Sequence, residues 1–255
     1  MKNNISILGC GWLGLSLALK LRSKGYSIKG STTSKIKIAK LESNGLQPFI
    51  IDLSNRESEF KNFLNSEVLI IAIPSKNIAG FKNLIFHIEN SKIKNILFIS
   101  STSVYPNSNS IITEENLIHK TPLYEIEMLF KTNTNFKSTI LRFGGLIGYD
   151  RKPGNFFKNG KIINHPDAFV NLIHRDDCIQ IIKEIIAKNI WSKTLNACTD
   201  THPKKRDFYT KEFKKEGRNN PIFNELASNE YKIINSDQLK KILNYNFIYS
   251  DLMKY

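Results

Sequence analysis

The sequence predicts an α/β fold in which a parallel sheet carries helices on both faces. Short apolar runs alternate with amphipathic segments at close spacing along the first part of the 255-residue chain, a pattern typical of β-α-β units. The first apolar run, residues 5–8, leads into Gly9, Gly11 and Gly14 and then into an amphipathic segment. A strand, a G-x-G-x-x-G turn and a helix in this order begin a Rossmann-type, doubly wound sheet.

The glycine turn predicts a binding site for a dinucleotide. Gly9 allows the tight turn, Gly11 lets the main chain approach a pyrophosphate, and Gly14 lets the new helix pack closely on the strand. The phosphates then lie against the amides at the start of the helix, beside Trp12. Because the motif is short, this interpretation depends on whether the following segments complete the β-α-β unit.

The chain after the turn supplies those segments. Helices are predicted at residues 15–24, where Gly25 ends the helix, and at 36–43, 54–65, 78–90, 177–188, 203–216 and 236–243, with a further helix opened by Thr121 and Pro122. Strands are predicted at residues 26–30, 49–53, 68–73, 95–100, 138–143 and 194–197, and residues 169–173 return to the core. Asp176 is predicted to cap the helix at 177–188. The pattern therefore continues well beyond the first unit.

The end of the second strand predicts which cofactor binds. Dinucleotide folds that bind NAD carry an acidic residue there, which holds the ribose hydroxyls, whereas basic or hydroxyl residues accept the extra phosphate of NADP. Residues 30–35 contain no carboxylate and instead offer Thr32, Ser34 and Lys35. The sequence favours NADP over NAD.

Three more residues are candidates for contact with this cofactor. Ile73 and Pro74 end the apolar run at 68–73, at the carboxyl edge of the sheet, where such folds bind ligands. Asp52 lies near the end of the third strand, where its carboxylate either contacts the adenine end of the cofactor or caps the next segment. The residues alone leave both roles of Asp52 open.

The composition excludes several other classes of protein. The formal net charge is +14, but the lysines are spread along the chain among acidic residues, so we expect no nucleic-acid partner. The apolar runs are too short to span a membrane. Cys10, Cys178 and Cys198 are odd in number and widely spaced, which indicates reduced thiols in the cytoplasm and no metal site.

Several segments together resemble a known family. They are the glycine turn, the Ile-Ser-Ser-Thr-Ser-Val-Tyr run at 99–105, the Leu-Arg-Phe-Gly-Gly-Leu-Ile-Gly run at 141–148 and the Asn-Leu-Ile-His-Arg-Asp-Asp run at 171–177. In this order they resemble the extended, atypical side of the short-chain dehydrogenase/reductase superfamily, whose NAD(P)-dependent epimerase/dehydratase-like members act on nucleotide sugars. The resemblance implies that Ser101 polarises the substrate oxygen. It also implies that His174 ties a returning strand to its helix.

The chain departs from this family at the catalytic tyrosine, which normally precedes a lysine by four residues. Tyr124 lies at a suitable distance after Ser101, but Met128 stands in the place of the lysine. In a second alignment Glu127 matches a glutamate that the family carries later in the helix, and His119 takes the tyrosine position. Neither alignment restores the ammonium group that makes the phenol a useful acid and base. Tyr124 is therefore either catalytic or a packing residue.

Two functions follow from these observations. The first is an NADP-dependent oxidoreductase or nucleotide-sugar epimerase/dehydratase-like enzyme in which Ser101 and Tyr124 act on a small-molecule substrate. The second is a catalytically impaired NADP-binding sensor or scaffold, which the missing lysine supports. The family resemblance is also compatible with a homodimer.

The sequence also predicts a division of the chain into two parts. Residues 1–145 are predicted to form the NAD(P)-binding core. In the remainder, residues 168–200 return to that core, while 146–167 and 201–255 form a small substrate-binding region.

Overall fold

A computed structural model describes residues 4–55, 58–116, 118–158 and 160–255 of the chain. The strands are β1 (Asn4–Leu8), β2 (Ser27–Thr32), β3 (Gln47–Ile50), β4 (Val68–Ile71), β5 (Asn95–Ser101), β6 (Ser110–Ile112), β7 (Lys137–Phe143), β8 (Gly145–Ile147), β9 (Leu172–His174), β10 (Thr194–Ala197) and β11 (Lys232–Ile234). The helices are α1 (Trp12–Arg22), α2 (Ile38–Ser43), α3 (Phe60–Phe63), α4 (Ile78–Glu89), α5 (Pro122–Lys131), α6 (Arg175–Ala187), α7 (Lys205–Lys215) and α8 (Asp237–Leu243). Short 3₁₀ helices span Lys35–Lys37, Thr102–Val104 and Pro153–Phe157.

The central sheet has seven strands in the order β10-β7-β5-β4-β1-β2-β3. β1 pairs in parallel with β2 on one side and with β4 on the other, so the strand order reverses at β1. In open sheets of this kind, ligands bind outside the carboxyl ends of the strands at the reversal. The predicted Rossmann-type, doubly wound sheet is confirmed, and its reversal lies where the glycine turn begins.

Apolar packing on the sheet explains why these segments fold as they do. All four residues of β4 are buried, as expected for a parallel strand covered on both faces. Beside it, the Phe81 ring of α4 packs nearly perpendicular to the rings of Phe98 and Phe130, with ring centroids 5.9 Å apart in both pairs. Phe98 and Phe130 stack at 5.2 Å, which fixes α5 against β5.

The helix predicted at residues 54–65 is mostly absent. Within that range residues 56 and 57 lie outside the described chain, and only α3 is helical. Asp52 and Ser58 explain the difference, because the Ser58 hydroxyl both accepts from the Asp52 amide at 3.0 Å and donates to the Asp52 carbonyl at 2.9 Å. Such local side-chain bonds compete with helical ones.

The prediction that Asp176 caps α6 is wrong, because the helix begins at Arg175, two residues before the predicted start at residue 177, and Asp176 lies within its first turn. The side chain of His174 takes over part of this role, since its Nδ1 accepts the Asp176 amide at 3.2 Å. His174 is 4% exposed, and burial lowers its pKa. It therefore links β9 to α6, as the family resemblance implies.

The chain forms two compact units. Unit 1 consists of Met1–Ser100, Lys120–Leu141 and Ile182–Thr194, and unit 2 of Ser101–His119, Arg142–Ile181 and Leu195–Tyr255. The core of unit 1 includes Leu69, Phe81 and Phe130. The predicted division at residue 145 concerns binding roles, which these units do not test, and it stays a prediction.

Unit 2 has its own apolar cluster and a buried polar anchor. Ile147, Ile163 and Phe208 belong to that cluster. Asp177 is fully buried and accepts hydrogen bonds from the Tyr245 hydroxyl and from the amides of Ile248 and Tyr249, at 2.6, 2.7 and 3.1 Å. One carboxylate thus holds the late segment around residues 245–249 in place.

Candidate cofactor site

The turn after β1 has a conformation that only glycine adopts easily. Gly9 has a φ of +96°, and a Cβ built on it would lie 2.4 Å from Ile73 Cγ2 and 2.9 Å from the Ala72 carbonyl oxygen. Its amide donates to Ser31 Oγ at 3.0 Å, and the next amide, of Cys10, donates to the Ser31 carbonyl at 2.8 Å. β2 therefore holds the turn in place through Ser31.

The other two glycines have different reasons to lack a side chain. A Cβ on Gly14 would lie 2.1 Å from the Gly9 carbonyl oxygen, so α1 packs directly against the turn. A Cβ on Gly11 would meet nothing within 4 Å in the described chain. Gly14 is thus required for packing, whereas Gly11 keeps a space beside the turn open.

The first turn of α1 is suited to an anion. Gly11 is its N-cap and offers no side-chain acceptor, and the first turn contains no acidic residue. The amides at a helix N-terminus and the helix dipole both favour negative charge there. A phosphate group is the kind of ligand that this end of α1 can hold.

A cavity of about 390 Å³ adjoins this turn, within unit 1. The predicted residues that line it are Gly9, Gly11, Thr32, Asp52, Ile73 and Pro74. Trp12, Gly14, Ser34 and Lys35 were also predicted to bind the cofactor, but they are outside this lining. Gly14 lies behind the turn, and the Ser34 amide donates to Thr32 Oγ1 at 3.1 Å.

Sequence reasoning missed part of the lining, including Ser31, Thr33, Lys37, Ser54 and Ser75. The hydroxyl residues among them lie just after the predicted ends of three strands, at residues 30, 53 and 73, so the sequence pattern could have identified them. Lys37 lines the cavity because of the 3₁₀ turn at Lys35–Lys37, which brings the second lysine, rather than the first, to the cavity. Only the basic character of this segment was visible in the sequence.

The charges of the lining are few. Lys37 and Asp52 are its charged residues among the described ones, and Cys10 stays a neutral thiol because burial raises its pKa to about 12. Asp52 Oδ1 accepts the Ser54 amide at 2.8 Å, so this carboxylate caps a turn while it also lines the cavity. The two roles that the sequence left open are therefore compatible.

Ser101, the predicted catalytic serine, belongs to unit 2 and caps a short 3₁₀ helix. Its Oγ accepts the Ser103 amide at 3.1 Å and is partly exposed. Nearby, the Tyr105 hydroxyl receives a hydrogen bond from Arg142 at 2.6 Å and donates to Asn196 at 2.9 Å. These buried contacts hold the loop that carries Ser101.

Tyr124 belongs to unit 1, in the first turn of α5. Thr121 caps this helix by accepting the Tyr124 amide at 3.2 Å. Met128 follows one turn later, and the basic residue of α5 is Lys131 in its last turn. The lysine at the expected spacing is thus absent from α5 in the structure as in the sequence.

Glu127, which the second alignment matches to a glutamate of the family, is buried and hydrogen-bonded. Its side chain is 1% exposed and accepts a hydrogen bond from Ser100 Oγ at 2.5 Å. His119, which this alignment puts in the tyrosine position, precedes α5, is exposed and donates its amide to the Val104 carbonyl at 2.9 Å. Both alignments remain predictions for the catalytic position.

Comparisons with known proteins agree with this architecture. The chain is 27% identical to the protein YeeZ of Escherichia coli strain K12 over 265 aligned positions, which cover 97% of this chain and 96% of that protein. A candidate NAD-dependent epimerase/dehydratase from Methylobacillus flagellatus superposes with a TM-score of 0.80 at 22% identity, covering 99% of this chain and 95% of that one.

A UDP-glucuronic acid 4-epimerase from Bacillus cereus, in complex with UDP-glucuronic acid and NAD, superposes with a TM-score of 0.79 at 18% identity and covers 98% of this chain and 96% of its own. The chain has the same fold as these two solved structures. The fold that the sequence resemblance implies is thereby confirmed. No sequence model of a protein family matches the chain.

Two further kinds of feature are not found among the described residues. None of the helices in the described ranges is long and apolar enough to cross a membrane. Likewise, no group of three or more His, Cys, Asp or Glu side chains is arranged to hold a metal ion within the part of the chain that the structure describes.

Proposed function

We propose that this protein binds NADP(H) in the cavity at the glycine turn and acts as an NADP-dependent oxidoreductase or epimerase/dehydratase-like enzyme on a small-molecule substrate, with a nucleotide sugar as the favoured class. The cavity carries the proposal. It combines an uncapped helix N-terminus, the space kept open by Gly11, and hydroxyl groups with Lys37 where an NAD-binding fold has an acidic residue.

In this proposal the cofactor supplies hydride transfer, and the protein supplies binding and orientation. The start of α1 holds the pyrophosphate, and Lys37 with Thr33 faces the extra phosphate of NADP. Ser101 orients the substrate oxygen and Tyr124 exchanges its proton. The cytoplasmic location implied by three buried free cysteines, and a homodimer, belong to the same proposal.

A second candidate function is NADP binding without turnover, as a sensor or scaffold. The observation that favours it is Met128, which occupies the position one turn after Tyr124 where an ammonium group would assist the phenol. The fold serves both functions equally, because a fold does not determine activity.

Exchange of Tyr124 for phenylalanine separates the two functions. If the protein is an enzyme, Tyr124→Phe lowers the rate of NADPH oxidation with nucleotide sugars, keto sugars or aldehydes by roughly 100-fold or more, because a proton donor is lost. NADPH affinity stays unchanged, as fluorescence titration of the cofactor would show. If no such substrate changes NADPH absorbance and the variant equals the wild type, the enzymatic proposal fails and the sensor is supported.

Lys37 tests the choice of cofactor. We expect Lys37→Ala to weaken NADPH binding about tenfold while NADH binding changes little, because the ammonium group acts only on the extra phosphate. Lys35→Ala is the matched control, since Lys35 lies two residues away and outside the cavity lining. Tighter binding of NADH than NADPH by the wild type, or equal losses in both variants, would contradict the preference for NADP. Calorimetric titration gives both affinities.

A further inference from the structure

His174 holds the start of α6 through an atom that can take up a proton. It immediately precedes this helix, and its Nδ1 accepts the Asp176 amide at 3.2 Å. A ring nitrogen accepts a hydrogen bond through its lone pair, so the proton of the neutral ring is on Nε2. A second proton, on Nδ1, would turn the acceptor into a donor and break this bond. The first turn of α6 therefore depends on the protonation state of one side chain.

The surroundings of His174 favour the neutral ring. The side chain is 4% exposed, so an imidazolium would lose most of its water, and a positive charge at a helix N-terminus opposes the helix dipole. The charged groups of α6 that act on the ring are Asp176, Asp177 and Arg175. The carboxylates attract a proton and the guanidinium repels it, but burial outweighs both carboxylates and lowers the pKa of His174. Protonation therefore works against the native contacts.

Three tyrosine rings surround His174 on its other sides. Tyr149 belongs to the loop after β8, whereas Tyr249 and Tyr255 belong to the segment after α8. Their ring centres lie 5.6, 3.7 and 5.6 Å from that of His174. A Cβ on Gly148 would lie 2.5 Å from Nε2, so the ring also lies directly against the main chain of the loop. The imidazole cannot turn toward a new partner unless these neighbours move.

The same helical turn fixes both neighbouring segments. The Asp176 carboxylate lies 3.6 Å from His174 Nδ1 and accepts the Tyr149 hydroxyl, which is 3.0 Å from each of its oxygens. A protonated Nδ1 would compete with Tyr149 for this carboxylate. The next residue, Asp177, holds residues 245–249 through three hydrogen bonds. A disturbance of this turn therefore reaches the loop and the late segment together.

Two of the tyrosines also form part of a second cavity, of about 430 Å³, whose lining belongs to unit 2 alone. Tyr149 and Tyr255 line it, between the loop at residues 149–155 and the last turns of α7. Movement of either ring therefore changes the wall of this cavity.

We propose that His174 is a pH-sensitive switch in unit 2. The neutral ring holds the start of α6 against the loop at Tyr149 and the segment 245–255, and protonation of Nδ1 releases both contacts. Because the rings of Tyr149 and Tyr255 line the second cavity, the protonated form opens its wall. The proposal does not depend on cofactor binding in unit 1.

The direction of the pH effect follows from the two environments of the ring. In the released state the imidazole is in water, where the pKa of histidine is about 6.5. In the native state burial lowers the pKa, so the released state binds the proton more tightly. Release is therefore favoured as the pH falls below about 6.5. Between pH 7.5 and 5.5 its equilibrium constant rises by up to about tenfold.

Hydrogen exchange of the full-length protein at pH 7.5 and 5.5 tests this switch. We expect protection factors, which correct for the intrinsic effect of pH, to fall at pH 5.5 by up to about tenfold in residues 175–178 and 245–252. His174→Asn should remove this change, because asparagine caps a helix through an amide oxygen that does not titrate. His202→Asn is the matched control. Burial also lowers the pKa of His202, but its Nδ1 faces the Val170 carbonyl at 3.1 Å, to which it must donate.

The switch is overturned if wild-type protection in these residues does not change with pH, if His174→Asn leaves the change in place, or if His202→Asn removes it. If His174→Asn fails to fold, nitrogen NMR of the wild-type imidazole decides. We expect the proton of the neutral His174 ring on Nε2 and a pKa below about 6.5, and a proton on Nδ1 or a higher pKa contradicts the proposal. Gly11→Val should keep the wild-type pH response, which separates this proposal from that for NADP.

Discussion

Replacement of Gly14 by alanine is expected to destabilise the protein by about 2–3 kcal/mol, although alanine is the better helix former. The added methyl group would lie 2.1 Å from the Gly9 carbonyl oxygen and 3.6 Å from the Ala72 side chain. The first of these neighbours is main chain, so it cannot rotate away, and α1 must move off the sheet. Thermal and urea unfolding would show the loss, and NADPH affinity should fall with it because the turn is displaced.

Gly11→Ala is the matched control for this effect. The two glycines lie in the same turn, but a methyl group on Gly11 meets nothing within 4 Å in the described residues. Its stability should stay within about 1 kcal/mol of the wild type, which is the usual size of an N-cap change. Equal stability losses in the two variants would contradict the packing explanation for Gly14.

Gly11→Val should abolish most NADP binding while the protein stays folded. The branched side chain would fill the space beside the start of α1, where the main chain is proposed to approach the pyrophosphate. We expect a loss of at least about 100-fold in affinity, close to 2.7 kcal/mol. Fluorescence titration with NADPH measures it, and the melting temperature of the free protein reports that the fold is intact.

The contrast with Gly14→Ala makes the result specific. Gly14→Ala should lose both stability and NADPH binding, whereas Gly11→Val should lose NADPH binding alone. If Gly11→Val binds NADPH like the wild type, the cofactor does not lie against this turn and the proposed function fails.

The fold followed from the sequence because its signals are local. The apolar run at β4 indicates a strand buried on both faces, and Gly9 and Gly14 of the turn each lack a side chain for a separate steric reason. The predicted strand at residues 194–197 has the same bounds as β10. Where the apolar pattern of a segment matches the way in which the segment packs, the sequence alone identifies the strand or helix.

Other features depend on atoms that no local pattern connects. Ser58 closes a turn on Asp52 through its hydroxyl, and this breaks a helix that the residue types permit. Lys37 reaches the cavity in place of Lys35 because a 3₁₀ turn intervenes. The cavity of unit 2 joins residues 149–155 to residues 212–216, which are distant in sequence and have no shared motif.

The way the chain alternates between its two units limits how the gene can be recombined. Unit 1 takes residues from three separate stretches, and unit 2 from the stretches that intervene and follow. No single crossover exchanges one unit whole: a fragment that stops at residue 145 lacks Ile182–Thr194 of unit 1 and retains Ser101–His119 of unit 2. A chimera that joins a new unit 2 to this unit 1 therefore needs a breakpoint at every position where the chain crosses from one unit to the other.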